Sequence, residues 1–504
     1  MVEVTRVSAA ATPEAIGIVH LGLGAFHRAH QAVYLQRCLN DSDNDSSNDS
    51  DAGRWGVCSA NIRSNRALVD QLREAGYRYH VAEYGDSEHV TLREIDVIQE
   101  ALFTGQDKSG VWGDDLDVLL DRMAAPETRI VTLTVTEKGY YLSPAEGRLR
   151  EDDSSIAADI ANPERPRTAP GLIVAALRRR REQGLPPFAV LSCDNMPDNG
   201  RRTRAAVVQL AARQDEGGQG EGLAEWIEAN VAFPSSMVDR IVPAMTDASF
   251  DQLRELGCDD DAAVVCEAFS QWVVEDDFPQ GRPQWEHVGV EMVDDVGPFE
   301  TMKLRMLNGS HSLLAYVGTM AGFATVAEAI ADPAMAGFIH RYMTEEAAPT
   351  LDMPVGVDVG GYAEQLVARF GNDSLKHRLQ QIAMDGSQKL PQRLLHGAEQ
   401  CLSEERSIDC TALGIAAWIR YTKGVDANGE TFDVSDPLRE IYVQLHAAHG
   451  DDAQSLVMAF LALRDIFPAR LAERDDFAQA VMSAYRELVD HDARQVLAVS
   501  SSAS

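Results

Sequence analysis

Residues 16–39 read IGIVHLGLGAFHRAHQAVYLQRCL. A short apolar run meets a glycine turn, and the turn passes into a helical pattern. That order, strand then turn then helix, is the context a dinucleotide fingerprint requires. Gly22 is placed for the tight turn and Gly24 for close approach of a pyrophosphate to backbone at the helix N-terminus. Ala25 and Phe26 open that helix, and His27 stands where the third glycine would be. Arg28 follows, a guanidinium able to supplement the helix dipole toward a diphosphate.

The following segments extend the pattern. Residues 55–60 read as a second strand, 67–77 as a helix and 77–84 as a further strand. At the end of the second strand a dinucleotide domain places an Asp or Glu for the ribose 2′-hydroxyl of NAD. Here the chain offers Asn61, Arg63, Ser64, Asn65 and Arg66. Asparagine suits NAD and the two arginines suit the 2′-phosphate of NADP, so both cofactors stay open. Residues 129–136, RIVTLTVT, form a β-branched buried strand that runs into Glu137, Lys138, Gly139 and Tyr140. Ligands in doubly wound sheets sit at such C-terminal strand ends. A helix at 171–181 and the strand PFAVLSCD lead to Asn195, in the same place on the next strand. Its amide is able to donate to a substrate oxygen; a turn-forming Asn is the plainer alternative. In FPSSMVDRIVP, 233–243, Asp239 and Arg240 sit between apolar neighbours as a buried or cleft pair, and 266–282 mixes aromatics with acids as a wall of the same cleft.

Pro298 marks the expected domain boundary, beyond which the chain is helix-like throughout. Residues 301–318, TMKLRMLNGSHSLLAYVG, repeat Met302, Met306, Leu307, Leu313, Leu314 and Val317 at the spacing of an apolar helix stripe. Asn308 and His311, three apart, neighbour one another on such a helix. Lys303 lies roughly 12 Å along the axis from His311 at about 1.5 Å per residue, and its stem is long enough to reach back. An amine, an amide and an imidazole on one side suit proton transfer to or from an alcohol oxygen. Lysine is scarce: it accounts for six of the 45 basic residues, at 108, 138, 303, 376, 389 and 423. Where arginine supplies nearly every generic charge, the lysines kept at 138, 303 and 389 point to what an amine alone can do, which is to lose a proton near neutral pH when buried. Residues 383–394, AMDGSQKLPQRL, read as a glycine and proline break carrying Asp385, Lys389 and Arg393.

A chain of 504 residues, 45% apolar and 25% charged, fits two or three globular domains. It has no run of eighteen apolar residues and no basic start with an apolar core at its N-terminus, so neither a membrane span nor a secretory signal is expected. The seven cysteines are scattered and odd in number, which suits reduced thiols in a cytoplasmic enzyme and indicates neither disulfides nor zinc. A net charge of −34 argues against nucleic acid or an anionic membrane as partner. The abundance of Asp and Glu beside few Lys resembles proteins of salty cytoplasm. Residues 40–53, NDSDNDSSNDSDAG, read as a solvated acidic loop. Asp41, Asp43 and Asp45 mimic a calcium loop, but Ser46 and Ala52 stand where its Gly and Glu belong.

Together these segments resemble the long-chain polyol and hexuronate dehydrogenases, the mannitol dehydrogenase family. The resemblance rests on GLGAFHRAHQ at 22–31, TVTEKGY at 134–140, SCDNMPDNG at 192–200, FPSSMVDRIVP at 233–243, KLRMLNGSH at 303–311 and DGSQKLPQR at 385–393. It implies an α/β fold: an N-terminal Rossmann-type doubly wound sheet over 1–297, and a mostly α-helical C-terminal domain over 298–504 that carries the substrate and catalytic residues. It implies NAD as cofactor, with NADP left open by the missing ribose acid, and no metal. Lys303 is then the acid/base, Asn195 and Asn308 the amides polarising the substrate oxygen, and His311 an orienting group. Glu300 and Asp239 belong to a proton relay, and Glu137 lies at the cofactor. The segments TEKGY and AMDGSQKLPQR are more similar to the hexuronate-reducing members than to the mannitol-oxidising ones. A uronate carboxylate calls for a cation, and Lys138, Arg305, Lys389 and Arg393 are the candidates. The expected partner is a small sugar acid or polyol, and the expected assembly a monomer or small homo-oligomer. A mannitol- or arabinitol-type dehydrogenase is the nearest alternative; a non-catalytic nucleotide sensor would have lost the Lys, Asn and His positions, which are intact.

Overall fold

A computed structural model describes residues 2–42, 52–107, 109–143, 146–218, 222–374, 376–450 and 452–501. The expected acidic loop lies outside the described residues from 43 to 51. The chain divides into two compact units, Met1–Gly297 and Pro298–Ser504.

The first unit is built on five parallel strands: β1 (Ile16–Leu21), β2 (Gly56–Asn61), β3 (Ile98–Phe103), β4 (Ile130–Leu133) and β5 (Ala189–Ser192), in the order β3-β2-β1-β4-β5. This is a Rossmann-type sheet. Parallel strands covered on both faces are continuous apolar runs; every residue of β2 and β4 is buried. The strand order reverses between β1 and β4, so a crevice opens where their carboxyl ends diverge. The glycine turn at 22–24 follows β1 and the TEKGY segment follows β4, which brings both motifs to that one place.

Three sequence expectations are corrected here. The strand at 77–84, observed as Tyr79–Tyr84, joins a separate four-stranded sheet with Glu3–Val7, His89–Ile95 and Val264–Glu267. The helix after the glycine turn comes in two pieces, Ala25–Ala29 and Gln31–Ser42, parted at His30 (φ −124°, ψ −83°), whose ring is held by the Gln271 carbonyl at 3.0 Å. The largest aromatic of 266–282 is core: Trp272, on the strand Gln271–Glu275, is 1% exposed and packs on Trp285 at 4.9 Å between ring centres, while Phe269 and Phe278 are half-buried.

Beyond Pro298 the described elements are helical. Gly309–Met320 and Asp409–Tyr421 are buried nearly all round, the signature of central helices. Gly414, without a side chain, lets Leu313 pack directly on its helix. Two further expectations are corrected. Residues 301–318 are not a uniform α-helix: Gly297–Met302 passes into a π-helical segment, π1 (Lys303–Asn308), before the α-helix resumes at Gly309. The stretch 383–394 breaks only at its glycine end, where 383–385 is a turn with Asp385 at φ 56°; the proline does not break it. Gly386–Leu390 continues through another π segment at Pro391–Leu395 into His396–Ser403. Proline cannot donate the usual i→i−4 bond, and a widened turn accommodates that loss without ending the helix. A third π segment, Tyr342–Ala347, continues the helix Pro333–Arg341.

Candidate active site

In the first unit the site starts from Gly22. Its φ is 108°, a region that favours glycine, and a Cβ there would be driven into the Thr134 carbonyl of the β4 end. Its backbone N–H bonds to Ala60 O at 2.8 Å, and its carbonyl accepts from the Thr134 hydroxyl at 2.8 Å. The turn is thus clamped between β2 and β4. Gly24 is extended and a Cβ there would meet only the Gly22 carbonyl, at 3.7 Å. That leaves backbone open at the start of a helix, a fitting cradle for a diphosphate. A cavity of about 270 Å³ lies here, lined among others by Gly22, Gly24, Asn61, Thr136 and Tyr141. Asn61 is buried at the β2 end, its amide donating to Asn65 O at 3.3 Å. Arg63 lines both this cavity and an adjoining one of about 530 Å³, where Lys138 also sits. The residues present fit a dinucleotide.

The other fingerprint residues lie deeper. His27 is 1% exposed and stacks on His20 at 3.4 Å, and both its ring nitrogens lack a hydrogen-bond partner among the described residues. Burial holds both imidazoles neutral, His20 at about 3 and His27 well below its ordinary value. His20 bonds to Thr132 and Thr134, so this pair supports the glycine turn from beneath. Arg28 is 6% exposed, lies over Tyr79, and donates to the carbonyls of Ala262 and Gly24. Expected to reach a diphosphate, it instead ties the first helical turn to the turn at Ala262, just before the strand Val264–Glu267. Ala25 and Phe26 are half-buried, and Phe26 stacks on His30.

Sequence reading passed over Asp194. Its carboxylate accepts the N–H groups of Val135 and Thr136 at 3.0 and 2.9 Å and the Tyr140 hydroxyl at 2.6 Å. One buried side chain thereby fixes the turn after β4, where Thr136 and Tyr141 have positive φ. Such strain persists only where neighbours over-determine it. The signal was present: an acid directly after an apolar strand, beside Asn195. Asn195 is exposed, one residue beyond Asp194; Glu137 and Lys138 are also exposed on the pinned turn. Asp239 and Arg240 are both buried, but the acid found at Arg240 is Glu83, at 2.8 Å, which Arg37 and Arg93 also reach.

In the second unit Lys303 is 7% exposed and opens π1, while Asn308 closes it. Five residues along an α-helix turn through about 140° beyond one full revolution, which would aim these side chains apart. A π-turn closes i→i+5, so the fifth residue comes back over the first. The Gly309 N–H reaches the Leu304 carbonyl, five residues back. The widened turn therefore brings Lys303 and Asn308 toward one side of the helix. His311 follows, half-buried beside Phe370 and His377. It is held well below its ordinary pKa, first by burial, then by the charges of His377, Arg369, Arg393 and Lys303. Arg393 lies 3.4 Å from Asn308 O and 3.3 Å from the Ser312 hydroxyl, and burial lowers its pKa. Lys389, lowered by burial and by Arg393, donates to Ile382 O at 3.2 Å. Arg305 is placed elsewhere than expected, donating to Thr350 O at 2.6 Å and to Gln400 at 2.9 Å. Glu300, half-buried, precedes π1 by one turn. Arg369 and His377 were missed, since nothing in the sequence links them to His311.

A Rossmann-type sheet with a glycine turn at its switch point, followed by a helical unit bearing a buried lysine, defines an oxidoreductase. The mannitol dehydrogenase Rossmann domain matches residues 16–287 and the mannitol dehydrogenase C-terminal domain matches 295–489. The chain belongs to the mannitol dehydrogenase family. It is 46% identical over 484 residues to the D-mannonate oxidoreductase of Escherichia coli (strain K12), covering 95% of each chain. Among solved structures it is similar to Pseudomonas fluorescens mannitol 2-dehydrogenase in a ternary complex with NAD and D-mannitol, with TM-score 0.75 and 36% identity over 98% of this chain and 96% of that one. It is also similar to a substrate-free D-sorbitol dehydrogenase, with TM-score 0.86 and 30% identity over 97% and 96%. No helix among the described residues is long and apolar enough to cross a membrane.

Proposed function

We propose that this enzyme transfers a hydride between NAD(H) and C5 of a hexuronate, interconverting D-fructuronate and D-mannonate in the cytoplasm. The observation that carries the substrate class is the gathering of Arg369, Arg393 and Lys303 around His311, in a chain of net charge −34; His377, its pKa lowered by burial and by Arg369, adds no charge to it. A neutral hexitol needs no such field, whereas a sugar carboxylate does. The likeness to a D-mannonate oxidoreductase supports the same choice.

The nicotinamide, when bound, supplies the hydride. Lys303, protonated, donates its proton to the substrate carbonyl oxygen during reduction and takes it back during oxidation. Asn195 and Asn308 donate amide hydrogens to that oxygen as negative charge develops on it. His311, held neutral, orients a neighbouring hydroxyl, and Glu300 passes the Lys303 proton to solvent, with Asp239 a further member of that relay. Arg393 and Lys389 receive the carboxylate. An ammonium and two amides provide the electrophilic stabilisation a metal would otherwise give, so the reaction is metal-independent. At the ribose end Asn61 serves NAD, and Arg63 in place of an acid leaves room for NADP. NADH oxidation against fructuronate, tagaturonate and fructose tests the reading: the highest kcat/KM is expected with fructuronate, and a preference for fructose overturns it.

A further inference from the structure

Three π segments are an unusual concentration, because π-turns are rare and each disturbs the i→i−4 ladder. All three, π1 (Lys303–Asn308), π2 (Tyr342–Ala347) and π3 (Pro391–Leu395), lie in the second unit. Each closes on a five-residue bond: Gly309 N–H to Leu304 O, Ala348 N–H to Met343 O, His396 N–H to Pro391 O. The three pack against one another at a single side chain. The Tyr342 hydroxyl donates to Arg305 O of π1 at 2.8 Å and lies 3.4 Å from Arg393 O of π3.

Arg305 O is the carbonyl that Gly309 N–H would hold in an α-turn. The register shift turns that N–H to Leu304, and the part-buried carbonyl takes another donor. Tyr342 is that donor, 3% exposed, its hydroxyl kept protonated by burial. Gly309 makes the approach feasible, since a Cβ there would collide with the Tyr342 hydroxyl and come within 3.1 Å of Arg393 O. On the other side of π2, Glu346 accepts the N–H groups of Cys410 and Thr411 at 2.5 and 2.9 Å, anchoring the segment to the buried helix Asp409–Tyr421.

We propose that Tyr342 is a positioning residue for the reaction: its hydroxyl holds π1 in the widened register that brings Lys303 and Asn308 to one side of the helix. The proposal rests on the roles given to Lys303 and Asn308 above. It also explains why Arg393 is in place, because the same hydroxyl oxygen sits against the π3 backbone that carries it.

Tyr342→Phe removes one oxygen and keeps the ring. Measured well below its melting temperature, this variant is expected to lose about 10- to 100-fold in kcat, the scale of an ångström-sized misplacement. Its NADH affinity should stay within twofold, and its kcat–pH profile should be displaced, because the proton donor has moved. A purely structural hydroxyl would lower the melting temperature and leave the kcat–pH profile where it was; that result overturns the proposal. Gly309→Ala displaces the hydroxyl without deleting it and is expected to reproduce the kcat loss, with a much smaller further loss when added to Tyr342→Phe. Should Tyr342→Phe not fold, an unchanged kcat in Gly309→Ala overturns the proposal by itself. Lys303→Ala, run in parallel, separates the two readings. Full activity there removes the catalytic assignment beneath the proposal, whereas an inactive Lys303→Ala beside a normal Tyr342→Phe removes only the role of Tyr342.

Discussion

The turn after β4 and the π1 segment both hold backbone in an irregular conformation beside polar side chains, and they do so by opposite means. At the β4 end an ionisable group from the neighbouring strand does the holding: Asp194 takes two backbone N–H groups and a tyrosine hydroxyl. In π1 a neutral phenol supplies one donor to one carbonyl. A sheet leaves N–H groups free where a strand ends, and a carboxylate satisfies them; a widened helix leaves a carbonyl free, and a hydroxyl satisfies it. On the proposed roles, the first unit presents a preformed cradle and the second presents reactive side chains whose aim depends on helix register.

If that division holds, damage in one unit should leave the other's property standing. The largest effect is expected at Lys303. Lys303→Ala should lower kcat by about 10²- to 10⁴-fold, the usual weight of a positioned acid/base, while NADH titration by fluorescence gives an unaltered Kd. A matching loss of NADH affinity would show the separation to be wrong. Next comes Glu83, 5% exposed among Arg37, Arg93 and Arg240, the last with a fully buried side chain. Its pKa is lowered; burial opposes this, and the charges of the three arginines outweigh it. Glu83→Gln leaves a buried cation unmatched and should cost about 3–5 kcal/mol, read as a lower melting temperature with kcat intact in the folded fraction at 25 °C.

The smallest effect concerns pH. His80 is raised to about 10, first by its hydrogen bond to Asp260, 2.9 Å away. A histidine whose folded pKa exceeds its ordinary 6.5 adds stability that is complete below 6.5 and is lost as pH rises through about 10. Wild type should therefore exceed His80→Asn in melting temperature at pH 6, by under about 4 °C for a partly exposed pair. The gap should close toward pH 10. A gap that widens with pH refutes the assignment.

How much of this was legible differs between the units for a physical reason. Parallel strands are buried on both faces, so β1, β2, β4 and β5 announce themselves as apolar runs, and the glycine turn follows from Gly22 and Gly24. Helicity beyond Pro298 was equally plain from composition. The widened register of π1 was not, because one added residue changes neither composition nor the apolar stripe of Met302, Met306 and Leu313. Its trace is the five-residue gap between Lys303 and Asn308, which fits no α-helical face. Pro391 misled in the same way, since a proline inside a helix ordinarily marks an end. Arg28 and Arg305 read as ligand cations because sequence shows charge and not the carbonyls that absorb it. Asp194 was overlooked because its neighbour Asn195 offered the more obvious chemistry.

The extra residue carried by π1 has a consequence for anyone shortening or stabilising this chain. A helix relieved of it would be straighter, with every N–H returned to its ordinary partner, and by most criteria a better helix. It would also turn the lysine and the asparagine to different sides. On the roles proposed for those two side chains, selection for a sturdier second unit would, at this spot, select against turnover.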